Sequence, residues 1–137
     1  MRKSIFFIIL ILSSTAIKAQ KIQSGSYNTT AHITSNGLIQ NKSYQTVGYF
    51  KSNGAIQDKN YSTIGYIREK GVIQNKNYQT VGCIKEDGTV QNNKYKTLGY
   101  IKEDGTVQNS SYSTIGYGRG VQKVWVAIVF FFFDFEN

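Results

Sequence analysis

From Gln20 onward, apolar residues come in short runs that recur at a constant interval. Segments such as TVGYF (46–50), TIGYI (63–67) and TLGYI (97–101) are rich in β-branched and aromatic residues. Each is followed, across a glycine-bearing turn, by a shorter run such as AIQ, VIQ or TVQ. Both kinds read as strands. The intervening TSNG, KSNG, REKG and KEDG suit tight hairpin turns, because glycine accepts positive φ without steric cost and Asn or Asp tolerates it nearby. The predicted unit is therefore a hairpin: residues 44–50, a turn ending at Gly54, and residues 55–57. Five such hairpins follow, with turns ending at Gly37, Gly54, Gly71, Gly88 and Gly105, and then an unpaired strand over 112–117. Asn-rich stretches (NKS, DKN, NKN) read as linkers between hairpins. Helix is excluded from this region by recurrent glycine and by the lack of a 3.6-residue apolar period.

The interval is 17 residues, with no insertion or deletion over 20–121. Repeats span 20–36, 37–53, 54–70, 71–87, 88–104 and 105–121. The last five share a first Gly, a Gln (Gln40, Gln57, Gln74, Gln91, Gln108), a Tyr (Tyr44, Tyr61, Tyr78, Tyr95, Tyr112), a Thr and a second Gly (Gly48, Gly65, Gly82, Gly99, Gly116). The first copy, QKIQSGSYNTTAHITSN, is worn but in register, keeping Gln23, Tyr27 and Thr29. Short hairpins cannot stand alone in water, so neighbours must bury one another's apolar faces. Identical units related by one rotation close into a ring or stack into an open solenoid. A ring is favoured because it leaves no sticky edge. The expected fold is all-β, a closed ring of short hairpins forming one domain over 20–137.

Two segments lie outside the repeat. At the start, Arg2 and Lys3 precede an unbroken apolar run over 5–12 and a stretch ending in Ala19, the pattern of a secretory signal peptide over 1–19. Export through the inner membrane, to the periplasm or beyond, is the resulting expectation. At the end, VWVAIVFFFF (124–133) is an uncharged run too short for a membrane helix. It would aggregate if exposed, so it is expected as a buried C-terminal strand that plugs or pairs along the ring. Docking to a partner or to a membrane surface is the alternative. No transmembrane helix is expected in the mature chain.

The repeated YxTIGYIxxxGxIQN unit, behind a leader ending in Ala-Gln and ahead of GYGRG and FFFF, resembles the five-fold β-flower family of exported Bacteroidetes repeat proteins. The likeness spans nearly the whole mature chain. It implies a five-fold pseudo-symmetric ring of β-hairpins and brings with it no established activity.

Charge changes little. The chain has 16 basic and 8 acidic residues; removing Arg2, Lys3 and Lys18 with the leader lowers the net charge from +8 to +5. The remaining lysines are spread through the repeats, unlike the clustered stripe that follows a phosphate backbone, so no nucleic-acid partner is expected.

Candidate chemistry is sparse. Cys83 is the single cysteine and His32 the single histidine, and each stands where other copies carry Tyr. No Cys-His pair, Ser-His-Asp set or metal-ligand cluster falls in register. Asp87 and Asp104 are explained by their turns. No enzyme activity, catalytic residue, metal site or cofactor is expected. The expected function is a non-enzymatic structural or protein-interaction module. The alternative is a carbohydrate-binding module in which Tyr44, Tyr61, Tyr78, Tyr95 and Tyr112 offer aromatic faces and Gln40, Gln57, Gln74, Gln91 and Gln108 offer amides, the pairing sugars favour. The partner is then a glycan or another exported protein.

Overall fold

The computed structural model describes residues 19–135. The expected leader, apart from Ala19, lies outside the described residues. Twelve antiparallel strands follow in chain order: β1 (Ala19–Ser24), β2 (Thr29–Thr34), β3 (Leu38–Asn41), β4 (Thr46–Phe50), β5 (Ala55–Asp58), β6 (Thr63–Ile67), β7 (Val72–Asn75), β8 (Thr80–Ile84), β9 (Thr89–Asn92), β10 (Thr97–Ile101), β11 (Thr106–Asn109) and β12 (Thr114–Tyr117). Each pairs with its chain neighbours, and β1 pairs with β12 to close the barrel. The worn first copy is thus a full member of the wall.

This closure corrects the expected count. The strand read as unpaired over 112–117 is β12, held between β11 and β1 with Gly116 opposite Ser24 and Tyr117 opposite Gln23. The wall contains six strand pairs instead of five hairpins and a spare strand. The stretches read as linkers are hairpin turns too. Asn41 Oδ1 accepts the amides of Ser43 (2.9 Å) and Gln45 (3.0 Å), while the Asn41 carbonyl accepts the Tyr44 amide (3.0 Å). Asp58, Asn75, Asn92 and Asn109 repeat this geometry, and Ser24 Oγ does the same work in the first copy. A short acceptor side chain that replaces missing backbone pairing is why Asn, Asp or Ser stands there.

Alternation sorts the strand residues. In β3, Ile39 points inward and is buried while Gln40 points out; in β4, Gly48 and Phe50 are buried and Tyr49 faces outward. A bulge recurs in every Tyr-turn hairpin, so that Ile39 faces Gly48 and Gln40 faces Thr46, with Val47 as the extra residue. The resulting core is a ring of Ile and Val at the same repeat positions, including Ile22, Ile39, Ile56, Ile73, Val90 and Val107.

The C-terminal segment plugs this ring, as expected, but as a helix and not a strand. α1 (Lys123–Ala127) continues into a π-helical turn over Ile128–Phe132, in which the Phe133 amide donates to the Ile128 carbonyl at 3.1 Å. Closure is the reason. Once β1 meets β12 no edge remains to pair with, and a segment inside an apolar barrel can satisfy its backbone only internally, whatever its β-propensity. Val126, Ala127 and Ile128 are fully buried. Gly118 admits the helix: a Cβ there would stand 2.7 Å from a Val126 methyl.

The five phenylalanines of the plug meet the five glycines of the second invariant set. Phe130 lies on Gly116, Phe131 on Gly99, Phe132 on Gly82, Phe133 on Gly65 and Phe135 on Gly48. At each glycine an added Cβ would come within 2.6 or 2.7 Å of the ring. Phe130 to Phe133 thus address four successive repeats as the tail passes the wall, and Phe135 addresses the fifth. Five ring-on-glycine contacts are thus set within a wall of six strand pairs. The first copy has Ala31 in place of the glycine.

Candidate functional site

The invariant tyrosines form a belt on the outer wall. Tyr27, Tyr44, Tyr61, Tyr78, Tyr95 and Tyr112 all have φ of +66° or +67°. Left-handed backbone costs a bulky L-residue roughly 1 kcal/mol, so six such residues need a compensating contact. Five have one. Each lays its ring on the residue at the outward position of a neighbouring strand: Tyr27 on Tyr117 (4.6 Å between centroids), Tyr44 on His32 (4.0 Å), Tyr61 on Tyr49 (4.8 Å), Tyr78 on Tyr66 (4.9 Å) and Tyr112 on Tyr100 (4.8 Å). Stacked aromatic pairs contribute about 0.5–1.5 kcal/mol, comparable with the backbone strain. The stacks leave much ring surface open: these five are 57 to 67 % exposed.

The sixth position lacks its partner. Cys83 occupies the outward site, its Sγ 3.9 Å from Gln91 Oε1, and Tyr95 is 80 % exposed with no stacked ring. Cys83 and His32 are thus belt positions that have drifted from Tyr. His32 still works as one, being buried and stacked, with Nδ1 3.3 Å from the Asn41 carbonyl.

Hydroxyls close several stacks. Tyr66 donates to Tyr78 (3.3 Å), Tyr100 to Tyr112 (3.1 Å) and Tyr117 to Tyr27 (3.0 Å). That hydrogen bond is the main reason the Tyr66, Tyr100 and Tyr117 phenols are held above their ordinary range, and Tyr61 does the same to Tyr49. Cations extend the belt: the Arg68 guanidinium lies 4.5 Å from the Tyr66 ring centre and 5.8 Å from that of Tyr78, and Arg119 lies 4.6 Å from Tyr117.

The invariant glutamines stand on the same outward face and are half-buried. Gln74 Oε1 accepts from Arg68 Nε at 2.8 Å, and Gln23 Nε2 donates to the Tyr27 carbonyl at 3.2 Å. Gln40 Oε1 is buried without a hydrogen-bond partner. The ten singled-out Tyr and Gln residues are accordingly not gathered into one cleft. They are distributed around a convex wall, one pair per repeat, with the tyrosines open and the glutamines partly covered.

A second feature escaped the sequence reading. A cavity of about 850 Å³ lies at the Tyr-turn end, between the plug and the sector formed by β2, β3 and β4. Its wall includes Ala31, Ile39, Val47, Phe133 and Phe135, with Lys42 and Ser43 from the β3–β4 turn. The signal for it was present in the chain as five tail phenylalanines against six repeats.

Among the described residues, no three His, Cys, Asp or Glu side chains come together as a metal site, and no helix is long and apolar enough to cross a membrane. A closed antiparallel barrel of hairpin repeats, plugged by its own C-terminal segment, defines the class of protein. The chain belongs to the 5-fold beta-flower protein family, whose family model matches residues 19–134. The resemblance read from the repeat is borne out. No curated protein and no solved structure matches the chain.

Proposed function

We propose that this chain is a non-catalytic, exported interaction module whose contact surface is the tyrosine belt and whose partner is another exported protein. The observation that carries the reading is the set of six tyrosines kept more than half exposed at left-handed φ. The stacks offset the strain at five of the six, yet each ring stays more than half bare, and Tyr95 keeps the same backbone with no stacked ring at all. Tyrosine combines broad apolar contact with a polar tip and little side-chain entropy, the properties that enrich it at interfaces. The leader-like first 19 residues support export. The test is site-specific photo-cross-linking in the producing cell. A photoreactive residue at Tyr61, on the belt, should yield a discrete cross-linked protein; one at Glu86, on the opposite rim, should not. Equal labelling from both positions, or from neither, would overturn the reading.

A second reading, sugar binding, is favoured by one local arrangement. Around Tyr66 and Tyr78, aromatic faces, the Arg68 guanidinium and the Gln74 amide adjoin on open surface. That combination suits an apolar sugar face edged with hydroxyls. A glycan array of the folded mature protein tests it, and silence across a broad array removes it.

A further inference from the structure

Six sectors surround the plug, and the tail supplies five phenylalanine rings. All five are taken by glycines: 116, 99, 82, 65 and 48, in the order in which the tail passes them. The sixth sector has Ala31 where the other five have glycine. That sector borders the 850 Å³ cavity. Among the described residues, the space thus lies at the one unit without the glycine.

We propose that this space is a binding pocket for a single-chain amphiphile with an uncharged, hydroxyl-bearing head, of the monoacylglycerol class. Its depth is apolar, lined by Ala31, Ile39 and Val47 from the wall and by Phe133 and Phe135 from the plug. Its mouth is polar, with the Ser43 and Gln45 side chains exposed on the turn. Among the described residues, two charged side chains line it, Lys42 and Asp134, of opposite sign. An isolated anionic or cationic head therefore meets no net complement, whereas hydroxyls find donors and acceptors at the rim. The volume falls in the range of small-molecule sites, roughly 300–1,000 Å³. The pocket's mouth adjoins the belt at the Tyr44 turn, with Gln40 in its lining, but probe binding in its apolar depth is read independently of any protein partner on the belt.

The test uses N-phenyl-1-naphthylamine, whose fluorescence rises in apolar sites. The mature protein should bind one probe per chain, and monolaurin should displace it. Laurate and dodecylammonium should each be at least fivefold weaker competitors. Thr30→Trp, at an exposed residue of the pocket wall, should cut probe affinity at least tenfold while the far-ultraviolet spectrum and melting temperature hold. Val47→Trp should do the same from deeper in, with Thr30→Trp deciding the matter should Val47→Trp misfold. No probe binding by folded protein would overturn the proposal. Stronger displacement by either charged amphiphile, or full binding by Thr30→Trp, would do so as well.

Discussion

Phe133 lies on Gly65 so closely that a Cβ built on the glycine would stand 2.6 Å from the ring's Cζ and 2.7 Å from the Gln74 carbonyl oxygen. Part of this clash is with a side chain and part with backbone across the β6–β7 ladder. Overpacking of a core typically costs about 1–3 kcal/mol. Gly65→Ala should fall at the upper end, since a ladder carbonyl has no rotamer into which to retreat. Adding Phe133→Ala should recover only the ring's share and introduce a cavity penalty of its own. Urea unfolding midpoints check this, and a Gly65→Ala protein as stable as its parent would refute the contact.

The Gly65 relationship also marks where the sequence was readable and where it was not. The 17-residue period, the strands and the Gly-bearing turns were legible because each rests on local chemistry: alternation, β-branching and positive φ. Gly54, at φ +94°, is a turn glycine of the expected kind. Gly65 has the same invariance for a different reason, close approach of a ring nearly 70 residues away in sequence, and no local pattern separates the two causes. The tail's β-propensity points to a strand, but propensity carries no information on whether an edge is left to pair with. Closure by β1 and β12 removes every edge, and the decisive fact lay at Ser24 and Gly116, far from the tail. The belt is half legible: Tyr44 and its equivalents stand out by their invariance, but their left-handed backbone and stacked partners depend on the Asn41-type turn, whose Asn-rich sequence reads as a linker.

Removing the plug should unfold the protein. A chain ending at Gln122 loses Val126, Ala127 and Ile128, all fully buried, together with the five rings on the glycines. It also loses Trp125, which stacks on Phe50 at 4.9 Å, and the Lys123–Glu103 ion pair at the rim. The barrel would then enclose an apolar void far larger than a core tolerates. The expected product is insoluble, or soluble with exposed apolar surface and no near-ultraviolet dichroism. A truncated protein that keeps the parent's near-ultraviolet spectrum and solubility would show that the wall supports itself.

Restoring the missing stack should stabilise the fold. Tyr95 carries the same left-handed backbone as the other belt tyrosines but has Cys83 where they meet an aromatic ring. Cys83→Tyr should add a stacked pair like that of Tyr66 and Tyr78. Because the site is open to water, the gain should be near the lower limit for such pairs, about 0.5 kcal/mol, or roughly 2 °C in melting temperature. Cys83→Ser should give none. Tyr95→Ala should be close to neutral in the parent and destabilising in the Cys83→Tyr background, a coupling that a double-mutant cycle isolates. Equal effects of Tyr95→Ala in both backgrounds would mean that the new ring does not stack.

The belt should also set the alkaline limit of stability. Tyr49, Tyr66, Tyr100 and Tyr117 are held above the ordinary phenol value, chiefly by hydrogen bonds to their stacking partners. A phenol raised on folding contributes stability that is whole below the unfolded value near 10 and is lost as pH climbs through the raised folded value. At the acid side the relation is reversed. Asp87 and Asp104 are held below the ordinary carboxyl value, first by the amides of Thr89 and Thr106. Their contribution is present above the unfolded carboxyl value and disappears as pH falls through the depressed one. Stability should therefore be flat across neutral pH and decline at both ends. Absorbance titration at alkaline pH should show a component later than the free-phenol value, and Tyr66→Phe and Tyr100→Phe should each shrink it. Absence of that later component in the folded protein would show that the hydroxyl pairs do not persist in solution.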